Sequence, residues 1–150
     1  MAVIKIPFEN IDQTLKGIHT QVCDSLEYCA NKMPVYSNPK QMYYGLLPLV
    51  KYKNDPPGIE LLQSVPTLFE NNYWGISGAG DCDCMSILVL SMCVVHNWNK
   101  QRIVLCGRSK SYPVHIFTEV YHGGKWHTMD LTRKLYNTHK PYKFYQLLEC

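Results

Sequence analysis

The sequence predicts an α+β fold, with helices first and antiparallel strands after them. Two observations carry this. Apolar residues recur at threes and fours from Ile11 onward, and an apolar run nearly unbroken by polar residues follows Cys82, which are helical signatures. Past residue 101 the pattern changes to period-two alternation around Gly123-Gly124, the signature of a β-hairpin. Helices followed by paired strands define the class.

In chain order, Ile11, Leu15, Ile18, Val22 and Leu26 line one face of a helix from Ile11 to about Cys29, with Asn10 or Asp12 as its cap. MPVYSNPK breaks it with two prolines. Gln41 to Leu47 suits a second short helix that Pro48 ends, and KNDPPG is a turn. Ile59 to Val65 fits either regular structure, and SVPTLFENNYWGISGAG reads as a polar, glycine-bearing loop. Cys82 to about Asn97 is apolar nearly all round, so it is a helix enclosed by the core. RIVLC is a short strand and GRSKSYP a loop. VHIFTEVY and WHTMDLT are the arms of the hairpin, and YKFYQLL adds an edge strand. The chain reads as one domain over 1–150, with a helical part over about 1–65 and a chemical core over about 66–135.

The 150 residues are 46% hydrophobic and 18% charged, which suits a globular domain with a real core. No stretch reaches about 18 uninterrupted apolar residues, so no membrane span is expected. The start, MAVIKIPFENIDQTLK, is too polar for a secretory leader, and a cytoplasmic location is expected. Net charge is only +3, with basic residues scattered, so no nucleic-acid partner is expected. Tyr136, Lys140, Tyr142, Lys143 and Tyr145 interleave aromatic and basic groups, but this reads as an amphipathic surface rather than a base-stacking platform. No pattern sets an oligomeric state.

Seven cysteines is an odd number, and without an export signal most are expected as free thiols. Cys82 is distinctive because it falls in the first turn of the enclosed helix. Unpaired backbone N–H groups there, equivalent to roughly half a positive charge, favour a thiolate and can hold an oxyanion. Gly78 and Gly80 leave room for a substrate backbone, and Asp81 is placed to cap the helix. The charges of Asp81 and Asp83 oppose thiolate formation, so an imidazolium is needed nearby. Cys84 lies about 200° further round the helix and Cys93 about 16 Å along it, so with His96 they make no tetrahedral metal site. Cys84, Cys93 and Cys106 read as small buried hydrophobes.

The hairpin selects among six histidines. With Gly123-Gly124 as the turn, His122 faces Lys125 and Val120 faces His127. His115 and Asp130 then become diagonal neighbours on one face, with Cα atoms about 7–8 Å apart. A carboxylate so placed can orient an imidazole base.

GDCDCMSILVLSMCVV followed by PVHIFTEVYHGGKWHTMDLT resembles the transglutaminase-like superfamily of papain-fold cysteine enzymes. KYKNDPPGIELLQSVPTLF is similar to the segment before the Gly-Asp-Cys of short bacterial and phage members. The resemblance spans roughly residues 46 to 132. By it, Cys82 matches the nucleophile, His115 the histidine and Asp130 the aspartate, in that order along the chain. Two positions depart from the family pattern: Cys84 stands where an aspartate is common and Phe117 where a tryptophan is common. The resemblance implies a thiol protease or amidase with a Cys-His-Asp triad, acting on a peptide or protein substrate without cofactor or metal. Trp74 and Gly80 are expected to contact substrate, and Gln63, Tyr73 or Trp74 to supply the second oxyanion donor. Calcium at Asp81 or Asp83 is set aside in favour of capping. The resemblance leaves two alternatives: a cross-linking transglutaminase, or a catalytically silent module with a structural role, for example in phage assembly with a virion-associated location.

Overall fold

A computed structural model of the chain describes residues 3–7, 11–109, 112–139 and 144–149. It mixes helices with small sheets, in the order β1 (Val3–Pro7), α1 (Ile11–Lys32), α2 (Pro39–Leu46), β2 (Lys51–Tyr52), β3 (Ile59–Gln63), α3 (Val65–Glu70), β4 (Ala79–Gly80), α4 (Cys82–Val95), β5 (Gln101–Ser109), β6 (Tyr112–His122), β7 (Lys125–Met129) and β8 (Phe144–Glu149). None of the described helices is long and apolar enough to cross a membrane.

α4 lies at the centre. Every residue from Asp83 to Cys93 is buried, because the helix has almost no polar stripe to turn outward. Of its two serines, Ser91 satisfies its hydroxyl on the Ile87 carbonyl one turn back. Asp81 caps the start, its Oδ1 accepting the Asp83 N–H at 3.1 Å. At the other end Asn97 adopts φ 62°, and the Trp98 N–H returns to the Cys93 carbonyl at 2.9 Å, closing the helix with a left-handed residue. His96 is structural: its Nδ1 donates to the Met92 carbonyl at 2.7 Å, and its Nε2 accepts the Tyr36 N–H at 2.9 Å.

α1 packs along α4 through Ile18 and Val22 and runs three residues beyond the expected end at Cys29. It also anchors the neighbouring segments. Gln21 donates to the Leu62 carbonyl at 2.9 Å, and the buried Ser25 hydroxyl accepts the Val65 N–H at 2.8 Å. α2 begins earlier than its apolar pattern indicates, because Asn38 caps Gln41 at 2.8 Å and Pro39 occupies the first turn. Of Ile59 to Val65, which fit either helix or strand, Ile59–Gln63 form β3, paired antiparallel with β1, Ile4 against Leu62, and Val65 opens α3. The segment expected to be all loop contains α3, with Pro66 in its first turn.

The four-stranded sheet runs in the order β7-β6-β5-β8. Its hairpin has the register the glycine pair predicts, His122 opposite Lys125 and Val120 opposite His127. Of GRSKSYP, expected as a loop, Gly107 and Ser109 of β5 pair with Pro113 and Tyr112 of β6, with register shifts on either side of Gly107, while residues 110 and 111 lie outside the described residues. β8 is the expected edge strand, alongside β5. Ile103, Leu105, Ile116 and Val120 join the core containing α4, while Val104, Cys106 and Phe117 form a small cluster of their own.

β2 and β4 form a short parallel pair that carries the chain into α4. Gly78 makes this possible. Its φ is +83°, and a Cβ there would lie 2.0 Å from the Leu49 carbonyl oxygen. Gly78→Ala is expected to lower stability by at least about 2 kcal/mol, from the left-handed conformation and the displaced backbone together. Urea unfolding of the two proteins measures it, and equal midpoints would contradict this account of the junction.

Candidate functional site

Cys82 opens α4, half-buried, in the first turn where the sequence places it. α4 packs against β6, the strand that carries His115. β7 ends at Met129 opposite Thr118, so the stretch of β6 at Ile116 runs beyond the β7 ladder. The groups gathered within 4.8 Å of the Cys82 sulfur are Asp81 and Asp83, and His115 is not among them.

His115 and Asp130 meet directly, with Nε2 to Oδ2 at 2.7 Å. Asp130 is 3% exposed. Its Oδ1 accepts both the Thr132 hydroxyl at 2.7 Å and the Thr132 N–H at 3.0 Å, so both oxygens are engaged. Burial pushes this carboxyl upward, but the hydrogen bond and charge of His115, helped by Thr132, outweigh it and hold Asp130 below the usual carboxylate range. Strand alternation puts His115 on the face of Phe117, whose ring lies 5.7 Å away, with Ile116 on the opposite face.

The electrostatics around Cys82 differ from those a helix start alone implies. Burial first, then the charges of Asp83 and Asp81, push the thiol well above its ordinary range, and the Ile116 N–H opposes them only in part. Half a unit of dipole charge does not overcome two adjacent carboxylates in a partly desolvated site. Asp55 and Glu60 extend this acidic character. One oxygen from each of Asp55, Glu60, Asp81 and Asp83 lies within 4.8 Å of the others, and Cys82 lies equally close to Asp81 and Asp83. Burial, then the hydrogen bond and charge of Asp81, pushes Asp55 up to about 9. Burial also raises Asp81, and it raises Asp83 well above the ordinary range with the added charges of Asp81 and Glu60. Desolvation, then Cys82 and these carboxylates, lifts the Tyr52 phenol to about 12. The sequence gives little signal for Asp55, in a proline turn, or Glu60, in a strand, because only the fold brings them to the helix start.

The remaining expected residues differ in what they do. Gln63 is committed to structure: its Nε2 donates to the Ala79 carbonyl and its Oε1 accepts the Tyr73 N–H, both at 2.9 Å. Gly80, which the sequence reading assigns to substrate, is buried, and a Cβ there would come within 2.7 Å of Cys84 Cβ. Its missing side chain is thus accounted for by helix packing. Trp74 is half-buried, edge-on to Tyr73 and beneath Lys53 Nζ at 5.1 Å. Its indole Nε1–H is shielded from solvent and has no acceptor. Cys84, Cys93 and Cys106 are fully enclosed, as small hydrophobes would be. An apolar groove lined by Leu15, Val22, Leu26, Val94 and Ile103 includes none of these groups. No family model, curated protein or solved structure matches the chain.

Because Asp130 is depressed in the fold, its stabilising contribution is present above about pH 4, the ordinary unfolded value, and is lost as pH falls through the folded value. Asp130→Asn is expected to destabilise by about 1–3 kcal/mol at pH 6, with the gap closing below pH 4. Urea midpoints across that range check this, and a gap independent of pH would show that the carboxylate charge is not what stabilises.

Proposed function

We propose that the chain is a thiol-dependent acyl-transfer enzyme of papain-like, transglutaminase-like type, acting on peptide or amide bonds. The observation that carries this reading is the 2.7 Å contact between His115 and a buried Asp130, on a strand against which the helix opened by Cys82 packs. A histidine held by a carboxylate is one half of the combination that nucleophilic acyl transfer uses, and a helix-start thiol such as Cys82 is the other.

In this reading Asp130 holds His115 by Nε2, and Nδ1 handles the proton. The carboxylates around Cys82 disfavour a resting thiolate, so His115 acts as general base during attack. The Cys82 sulfur adds to the carbonyl carbon as its proton passes to His115. The oxyanion is received by the Cys82 N–H at the start of α4 and by the Trp74 indole N–H, the candidate donor with no acceptor of its own. The carbon–nitrogen bond then breaks, the amine leaves with the proton from His115, and a thioester remains. Water or a second amine, deprotonated by His115, attacks the thioester and restores the thiol.

The experiment is labelling with a peptide bearing a thiol-reactive carbonyl electrophile, mapped by mass spectrometry. The adduct is expected on Cys82, absent in Cys82→Ala and slowed at least about 100-fold in His115→Gln. Labelling spread evenly over the cysteines would sink the reading. It would favour instead the catalytically silent module, which the acidic surroundings of Cys82 support.

The fate of the thioester separates the two enzymatic outcomes. With a glutamine-bearing peptide and excess primary amine, hydrolysis is expected to dominate, giving the acid with an 18O label from 18O-enriched water. A predominantly amide product would assign the chain to cross-linking instead.

A further inference from the structure

We propose that the apolar groove between α1, the last turn of α4 and the start of β5 binds a monocarboxylate with an aliphatic tail of medium length, the chemistry of a free fatty acid. The site is separate from the thiol chemistry at Cys82 and does not depend on it. The groove has a volume of about 560 Å³, inside the range of roughly 300–1,000 Å³ usual for small-molecule sites. Three elements wall it: Leu15, Val22 and Leu26 come from α1, Leu90 and Val94 from α4, and Ile103 from β5. It forms where α4 loses its enclosure. The buried run of that helix stops at Cys93, and Val94 is only half-buried. Leu15 and Leu26 are half-buried as well, so three aliphatic side chains stay partly in water along one concave surface.

The lining selects the tail. Among the described residues that form it there is no Phe, Tyr or Trp, so a flat ring has nothing to stack on, while branched aliphatic walls suit a flexible chain. At roughly 30 Å³ for each carbon-sized group, close to the share of one water in the liquid, the volume takes a chain of about ten to fourteen carbons with its head.

The polar residues of the lining select the head. They are His19, Cys23, Asn99 and Gln101, with no Asp or Glu among the described residues there, so an anion meets no like charge. Gln101 is buried and already donates Nε2–H to the Trp98 carbonyl at 2.9 Å. Asn99 is exposed, and its amide has no hydrogen-bond partner among the described residues. Its N–H groups are thus open to a carboxylate at the mouth, with the His19 imidazole as a second donor, and an ionised acceptor strengthens both bonds. Cys23 supplies a reporter. Its thiol is free and exposed in the same wall, 3.8 Å from His19 Nε2.

Calorimetric titration of the full chain with decanoate tests the site. One site is expected, with Kd of about 0.1 mM or tighter, and with butyrate at least about tenfold weaker because most of the tail is missing. Decanol, which keeps the tail and lacks the charge, should bind at least about threefold more weakly than decanoate, and Asn99→Ala should narrow that difference. Val94→Trp and Leu26→Trp, both at half-buried positions, fill the groove and should each weaken decanoate at least about tenfold. Saturating decanoate should slow alkylation of Cys23 by iodoacetamide at least about fivefold and leave that of Cys82 unchanged. This last measurement uses the parent protein, so it decides the matter even if circular dichroism shows both tryptophan variants unfolded. Absence of both heat and Cys23 protection overturns the proposal. So does decanoate binding that survives both tryptophan substitutions, or decanol binding as tight as decanoate. Sedimentation as a dimer that Val94→Trp dissociates would also overturn it, by giving the groove to a second copy of the chain.

Discussion

α4 is buried along its whole middle, from Asp83 to Cys93, and so needs a wall on every side. α1, β3, α3 and β6 supply those walls. Its first turn is held in turn by Asp81 and by the parallel strand pair that delivers the chain into it. Because the helix cannot rotate without exposing apolar side chains, at roughly 1.5–3 kcal/mol for each one fully exposed, its N-terminus is fixed in place. Cys82 and its two flanking aspartates are therefore set by the core and not by a flexible loop.

Two electrostatic environments meet at that end of the molecule. On the β6 side, a carboxylate and an imidazole satisfy one another at 2.7 Å. On the β3 side, four carboxylates gather with no described cationic side chain among them. The thiol lies within the second of these environments, close to Asp81 and Asp83. Its ionisation follows the nearer full charges and its own burial, not the smaller field of the helix.

The parts legible in the sequence are those that local periodicity encodes. The enclosed helix follows from an apolar run without a polar face, and the hairpin register follows from Gly123-Gly124 and strict alternation. Together these bring His115 and Asp130 to one another. β1 was not legible because its partner β3 lies more than fifty residues away, and five residues carry too little pattern to reveal a distant pairing. α3 is short and sits among asparagines and glycines that mark loops, although Ser64 followed by Pro66 is a helix-start signal. Asp55 and Glu60 escape for a similar reason. Nothing in their spacing relates them to residues 81 and 83, and the juxtaposition exists only after β3 docks against the core.

The His115–Asp130 pair is closed by a two-glycine turn within a single hairpin, so its assembly costs little loop entropy. Cys82 takes its place at the helix start only after the whole helical layer has condensed on the sheet. The imidazole and its carboxylate therefore belong to a locally formed unit and the sulfur to a globally formed one. A partial loosening of the helical layer can withdraw the sulfur while leaving the pair joined.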